Sequence, residues 1–195
     1  MEITAIKVSP IRSSFWGDFA SRQDELPLVT PLTRYAAYRH PLSSWFPEDR
    51  MCIVEIGTSD GIVGAGWRED YCGASSVIVE NHLGRLLIGA DPLERTKISD
   101  QMYRSTMPYG QKGPAQFAIS AVDIALWHIA GKHASVPVHQ LLGGKVRDRL
   151  PTNANHLHFI NAEDFCAEAE DYVARGFKAM KMRFLYGPES GLEGL

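Results

Sequence analysis

Two cations near the end of the sequence are the residues with the clearest chemical potential. Lys181 and Arg183 lie in the run 177–184, whose apolar content is typical of a β-strand. Residues two apart on a strand share a face, so Lys181 and Arg183 are expected to project together, opposite Met180 and Met182. Two cations on one face of such a strand are costly without a counter-charge, which favours a site for a carboxylate or enolate-like oxyanion. One structural ion pair plus one solvated charge is the alternative.

The two cations differ in the proton chemistry that they can perform. An arginine keeps its proton and is a poor general base, so we expect Arg183 to orient or stabilise a substrate. A lysine shifts its pKa when it is buried, so Lys181 is the better candidate for carrying a proton.

A second polar group ends the strand that is predicted at 150–159. Asn155, His156 and His158 lie at its carboxyl end, where parallel α/β folds build active sites. By the period of two, His156 and His158 share a face, and either could contact a substrate or a metal. Two histidines without a third ligand are a weak metal signal, and ordinary polar strand-end residues are the alternative. We take Asn155 and His156 as candidate substrate contacts and predict no metal ligand in this sequence.

The long connection from Arg12 to Arg50 has no sustained period, yet it is too aromatic for a flexible linker. We interpret it as a lid in which Arg34, His40 and Trp45 close over a small anionic substrate. The alternative is a satellite aromatic cluster that packs the connection onto a sheet.

The elements that must position these residues begin with strands. An alternating pattern at 3–11 predicts a strand that ends at Pro10, and further strands are expected at 51–58 and 62–67, joined by the turn 59–61. Gly64 and Gly66 leave one face of the third strand bare, which predicts close packing of another backbone there. The predicted helices are 75–88, one that opens with Asp91 as N-cap and Pro92 at its first position, and one from Pro114 to about residue 130 with Gly131 as C-cap.

The last part of the sequence changes to a strand, helix and strand at 150–159, 162–176 and 177–184, with Asn161 as the helix N-cap. Short connections in this order indicate a parallel βαβ unit, and hence two domains, 1–148 and 149–195. Two parallel strands cannot bury both of their own faces. We therefore expect either a truncated piece of a longer protein or a covering surface from another chain.

Composition excludes several classes of function. The net charge of −3 over 195 residues offers no basic surface for nucleic acid. Cys52, Cys72 and Cys166 lack CxxC spacing, which predicts three reduced thiols. No leader pattern and no apolar run of about 20 residues is visible, so we expect a cytoplasmic protein without a membrane partner. The GxGxxG, GxxxxGK[ST], HExxH and GxSxG motifs are absent, which leaves nucleotide binding and serine hydrolysis unsupported.

The run from Ile119 to Asp148 resembles the end of the capping domain in the mandelate racemase/muconate lactonizing enzyme family of the enolase superfamily. Its sequence departs from the family pattern at His128, where aspartate is usual. Three further stretches look most like acid-sugar dehydratases of the L-rhamnonate type, namely Thr30–Tyr38, Val79–Gly89 and Asp100–Gly110. The positions that match the family pattern are Ser120, Ala121, Val122, Asp123, Ala125, Leu126, Trp127, Gly131, Lys132, Pro137 and Leu141 to Gly144.

This resemblance implies an α+β capping domain, built from a three-stranded antiparallel sheet plus helices, followed by the start of a (β/α)8 TIM-like barrel. It implies capping loops near 15–34 and 43–46, and Mg2+ held by acidic residues on barrel strands beyond Leu195. By resemblance, Lys181 and Arg183 take the two lysine positions of a KxK motif on the second barrel strand. Arginine at the second position disfavours racemisation and fits dehydration.

The activity implied for a full-length parent is Mg2+-dependent dehydration of a sugar acid, such as rhamnonate, to a 2-keto-3-deoxy acid through an enediolate. The expected partners are this small-molecule substrate and further copies of the chain in a homo-oligomer. Without metal ligands, the chain by itself is expected to be inactive. A racemase or cycloisomerase on the same scaffold, and a non-catalytic cap or assembly module, are the alternatives.

Overall fold

A computed structural model describes residues 1–12, 35, 50–158 and 162–183, with only the backbone described at Tyr71, His156, His158 and Arg183. The described residues fall into two compact units. One unit contains 1–12 and 50–146, and the other contains 147–158 and 162–183.

The first unit contains an antiparallel sheet in the order β1 (Ile3–Arg12), β2 (Arg50–Thr58) and β3 (Val63–Glu69). The predicted tight turn joins β2 to β3. In this turn the Gly61 amide donates to the Thr58 carbonyl over 3.0 Å, and φ of Gly61 is 79°. A left-handed φ of this kind suits a residue without a Cβ atom. The three strands and their hairpin confirm the sequence prediction.

The first strand corrects two details. It does not end at Pro10, which pairs with Cys52 inside the strand. Proline is tolerated there because β1 is an edge strand of the sheet that the described residues form, and one side of its backbone needs no partner. The pairing also shifts by one residue between Ile3 and Ala5, and this bulge brings Ile3 to the same core-facing side as Ile6.

The predicted helix at 75–88 is helical but not continuous in its geometry. It consists of α1 (Ala74–Ile78), a π-helical turn (Val79–Leu83) and α2 (Gly84–Leu87). The Gly84 amide donates to the Val79 carbonyl, five residues back. A Cβ atom at Gly84 would lie 3.1 Å from that carbonyl oxygen, so the missing side chain accommodates the wider turn.

Helix α3 (Arg95–Thr106) begins one turn later than predicted. The Asp91 carboxylate accepts the Leu93 amide over 3.0 Å, and the Asp91 carbonyl accepts the Glu94 amide over 3.0 Å. Asp91 therefore stabilises a turn that precedes the helix rather than the helix itself.

Helix α4 (Pro114–Ala134) begins where predicted but ends later. Gly131 is not the C-cap. It lies inside the helix, where a Cβ atom would meet the Val136 carbonyl oxygen at 3.0 Å as the chain folds back towards α5 (Val138–Leu141). Ser135 takes the left-handed conformation, with φ 57°, that ends the helix.

The core of the first unit forms where α4 packs on the inner face of the sheet. Added Cβ atoms at Gly64 and Gly66 would overlap the backbone carbonyls of Ala125 and Ala121, which confirms the predicted close backbone approach. Among the described residues, the apolar side chains with no exposed surface are Cys52, Val54, Ile56, Val79, Leu83, Leu87, Met102, Ala118, Ala121, Val122, Ala125, Leu126 and Ile129.

The second unit contains β4 (Ala154–His158), α6 (Ala162–Ala174) and β5 (Met180–Arg183), and its two strands pair in parallel. The predicted βαβ unit is confirmed. Both strands are shorter than predicted, because 150–153 and 177–179 are irregular. Asn161, the predicted helix cap, lies outside the described residues.

All three cysteines are free thiols, as predicted. Burial is the main cause that raises the pKa of the Cys52 thiol, which keeps this side chain neutral in the core. Among the described helices, none combines the length and apolarity needed to cross a bilayer.

Candidate functional site

The predicted cationic positions lie on β5. Because successive residues of a strand alternate, positions 181 and 183 share the face opposite Met180 and Met182. Met180 and Met182 pair with Ala154 and Leu157 of β4, which are buried, so this face of the two-stranded sheet is its apolar side. Lys181 lies on the other side.

The Lys181 side chain is exposed. It forms no hydrogen bond or ion pair with another residue in the part of the chain that the structure describes. An exposed Lys181 is compatible both with an open anion site and with the alternative in which it is a solvated charge.

The neighbouring strand brings the other predicted positions close to this lysine. The pairing of β4 with β5 shifts by one residue between Ala154 and Leu157, so Asn155 and His156 both lie opposite Lys181. His158 pairs with Arg183. The bulge was not predicted, because a period of two assumes a regular strand. It places two candidate positions of β4, rather than one, beside the candidate cation of β5.

The other candidates divide into those that can be placed and those that cannot. Asn155 is exposed on β4. Arg34, His40 and Trp45, the predicted lid residues, lie outside the described residues. Over the described ranges, no group of three or more His, Cys, Asp or Glu side chains is placed to hold a metal ion. These residues therefore do not fit the Mg2+ that the resemblance implies.

A polar groove in the first unit was not predicted from the sequence. It lies between α3 and α4, has a volume of about 580 Å3, and is lined by Arg95, Asp123 and Trp127 among others. Helical spacing shows which residues share one face of a helix, but it does not show which other helix packs against that face. The sequence therefore could not show that these three residues meet.

The class of protein follows from the first unit and its sequence. The family model for the N-terminal domain of mandelate racemase / muconate lactonizing enzyme matches residues 39–143, which are more than half of the chain. The chain belongs to this family, and its antiparallel sheet with helices is the N-terminal capping domain of the enolase superfamily.

Several individual proteins and solved structures are similar to this chain. An L-rhamnonate dehydratase from Saccharopolyspora erythraea is 38% identical over 170 residues, which are 86% of this chain and 40% of that protein. The crystal structure of L-rhamnonate dehydratase from Gibberella zeae matches with a TM-score of 0.78 at 31% identity, over 99% of this chain and 45% of that one. A racemase from Streptomyces coelicolor A3(2) with bound magnesium matches with a TM-score of 0.70 at 27% identity, over 93% of this chain and 46% of that one. The chain thus spans less than half the length of these relatives.

Proposed function

We propose that this chain is part of an enzyme that dehydrates a sugar acid, with L-rhamnonate as the first substrate to test. The observation that carries this proposal is 38% identity to an L-rhamnonate dehydratase across 86% of the chain. The structural match to a second L-rhamnonate dehydratase supports it. In this proposal, residues 1–148 cap a barrel that begins with β4 and β5, and the protein assembles as a homo-oligomer.

The reaction removes one molecule of water from the sugar acid. A general base takes the C2 proton first, and the electron pair of the broken C2–H bond forms an enediolate with the carboxylate. The C3–O bond then breaks with protonation of the leaving hydroxyl, and the resulting enol tautomerises to a 2-keto-3-deoxy acid. The difficult step is the first, because negative charge accumulates on the carboxylate oxygens.

In this proposal Lys181 and Arg183 stabilise that charge. Lys181 is exposed on the face of β5 opposite Met180 and Met182, and position 183 lies on the same face as Lys181. Asn155 and His156, which lie opposite Lys181 in the strand pairing, are proposed to contact the substrate hydroxyls. Arg183 stabilises charge without accepting a proton, because a guanidinium stays protonated.

We propose that the dehydration activity of the whole protein requires Mg2+. A related racemase holds magnesium, but the described residues of this chain place no metal-binding cluster. A bound Mg2+ would supply further stabilisation of the enediolate oxygens. Its ligands are proposed to lie outside the described residues.

The test compares the whole gene product with the 195-residue chain, each incubated with L-rhamnonate and related sugar acids in the presence of Mg2+. We expect the whole product to form a 2-keto-3-deoxy acid, detected as its semicarbazone, and the 195-residue chain alone to form none. In the whole product, Lys181→Met should lower kcat by about a hundredfold or more, because a charged contact to the enediolate is lost. Lys178→Met, which removes an exposed lysine three residues earlier, is the matched control.

The structural similarity to a racemase supports racemisation as an alternative activity. Racemisation needs a base on each face of the substrate, and Arg183 is a poor base, which favours dehydration. The reaction in D2O separates the two activities. Exchange of the C2 proton without loss of water would contradict dehydration, and turnover by the 195-residue chain alone would contradict the proposed need for residues beyond it.

A further inference from the structure

The groove between α3 and α4 is lined by one face of each helix. Arg95, Ser99 and Tyr103 recur every four residues on α3, and Asp123 and Trp127 are four apart on α4, so each set lies on one helix face. Its volume of about 580 Å3 is in the range of small-molecule sites. None of these residues belongs to β4 or β5, so the site stands independently of the dehydration proposed above.

Arg95 is a half-buried cation whose bonding is incomplete. The centre of its guanidinium lies 3.4 Å from the centroid of the Trp127 ring, a close cation–π contact. Its Nε and Nη1 atoms are shut off from solvent and have no hydrogen-bond partner among the described residues. Burying a charged donor without an acceptor costs free energy, and an anion in the groove would offset part of that cost through its attraction to the guanidinium charge.

Asp123 supplies an acceptor on the opposite wall of the groove, which α4 forms. It is close enough to Arg95 for the arginine charge to act on it, yet the two do not form an ion pair. Burial, the largest effect, raises the pKa of the Asp123 carboxyl, while the Arg95 charge and a hydrogen bond from Trp127 oppose the rise. The end of the groove near Trp127 thus offers one cation and one separate acceptor.

We propose that this end of the groove binds a small hydroxy carboxylate, with its carboxylate facing Arg95 and a neighbouring hydroxyl donating to Asp123. A phosphate dianion fits less well, because Asp123 and Asp100 would repel its second charge. An amino acid fits less well because its ammonium group, placed at Asp123, would also meet the field of Arg95. A hydroxyl donates to the carboxylate without that repulsion.

The test is a titration of the full 195-residue chain, labelled with 15N and observed through its tryptophan indole signals. The Trp127→Phe variant assigns the Trp127 signal. D-gluconate is the probe, with sorbitol as the polyol without a carboxylate, hexanoate as the carboxylate without hydroxyls, and L-alanine as the zwitterion. We expect gluconate alone to shift the Trp127 signal to saturation.

Arg95→Met keeps much of the apolar stem and removes the charge, so it should weaken gluconate binding by about tenfold or more. Arg85→Met is the matched control, since it removes an exposed arginine of α2 that does not line the groove and should leave binding unchanged. The proposal is overturned if gluconate gives no saturable shift, if sorbitol, hexanoate or alanine binds as tightly, or if Arg95→Met binds as well as the parent. The comparison of ligands on the parent chain decides the matter even if Arg95→Met does not fold.

Discussion

At the scale of single residues, helix α4 completes the hydrogen bonding of an edge strand. His128 accepts the Ala65 amide at Nδ1 over 3.1 Å, and Lys132, one turn later, donates to the Val63 carbonyl over 2.6 Å. Among the described strands β3 lies at the edge of the sheet, so these backbone groups pair with no strand of the described ranges. The family resemblance marks position 128 as unusual, and the structure shows that histidine there serves as an acceptor.

This contact predicts the effect of changing His128. Alanine should leave the Ala65 amide without its acceptor and lower the free energy of unfolding by about 0.5–1.5 kcal/mol. Amide hydrogen exchange at Ala65 should accelerate, while aspartate, which retains an acceptor, should preserve the protection. Lys132→Met is the control, because it removes the bond to Val63 and leaves the Ala65 bond in place. Unchanged exchange at Ala65 in His128→Ala would show that the hydrogen bond does not protect this edge.

Asp123 gives a prediction about pH. Its pKa is raised, so between the ordinary carboxyl pKa and the raised one the folded protein retains a proton that the unfolded chain has lost. Stability therefore falls as pH rises through that window and does not recover above it. Asp123→Asn removes this effect, so the variant should be more stable at neutral pH by less than about 1 kcal/mol after solvent screening.

The difference between Asp123→Asn and the parent should become independent of pH at about pH 3 and below, where the carboxyl is protonated in both the folded and the unfolded state. Urea unfolding across a pH series measures it. Asp100→Asn is the contrasting control, because it loses an exposed pair with Arg104 and should not stabilise the protein at any pH. A variant at position 123 that is less stable than the parent at every pH would contradict the prediction.

At the scale of elements, the packing of α4 on β3 depends on the absence of two side chains. Gly64 and Gly66 allow the helix backbone to approach the strand backbone directly, as the bare face of the sequence pattern predicted. The helix contributes small residues to the same contact, including Ala121 and Ala125, both fully buried. Glycines on one element and alanines on the other therefore define this interface.

Gly66→Ala tests this interface. Its Cβ atom would overlap the Ala121 carbonyl and lie 2.7 Å from the Ala125 amide nitrogen, so helix and strand must separate. Overpacking of this kind should cost about 1–3 kcal/mol in urea unfolding. Gly57→Ala on β2 is the matched control, because its nearest neighbour would be the Ala5 Cβ atom at 3.6 Å, an ordinary contact. Equal stability of the two variants would show that the helix moves away at little cost.

At the scale of the whole chain, the two units differ in how completely they are built. The first unit has a sheet whose inner face is covered by α4 and a contiguous buried core. The second has two parallel strands and one helix, and only Ala154 and Leu157 of its described apolar residues are buried. Parallel strands usually need covering on both faces, and the candidate cation Lys181 lies on a face that these elements leave open. The proposed catalytic role of Lys181 therefore requires surfaces that the described second unit does not supply.

The sequence by itself determined the local elements and their class. Periodicity, turn residues and the bare glycine face predicted three antiparallel strands, the close packing at Gly64 and Gly66, and the parallel βαβ unit. These features depend on neighbours in the chain or on one face of one element, which a pattern can show. The sequence also determined that Lys181 lies on the face of β5 opposite Met180 and Met182, because this alternation depends on one strand alone.

Only the tertiary structure decided how distant segments meet. The bulge at Asn155 and His156, the π-helical turn accommodated by Gly84, and the meeting of Arg95 with Trp127 all depend on contacts between elements. Gly131 shows the reason most clearly, since its type suggests a helix end while a returning segment requires it inside the helix. Local propensity is worth about 1 kcal/mol at one residue, and packing against a neighbour outweighs it.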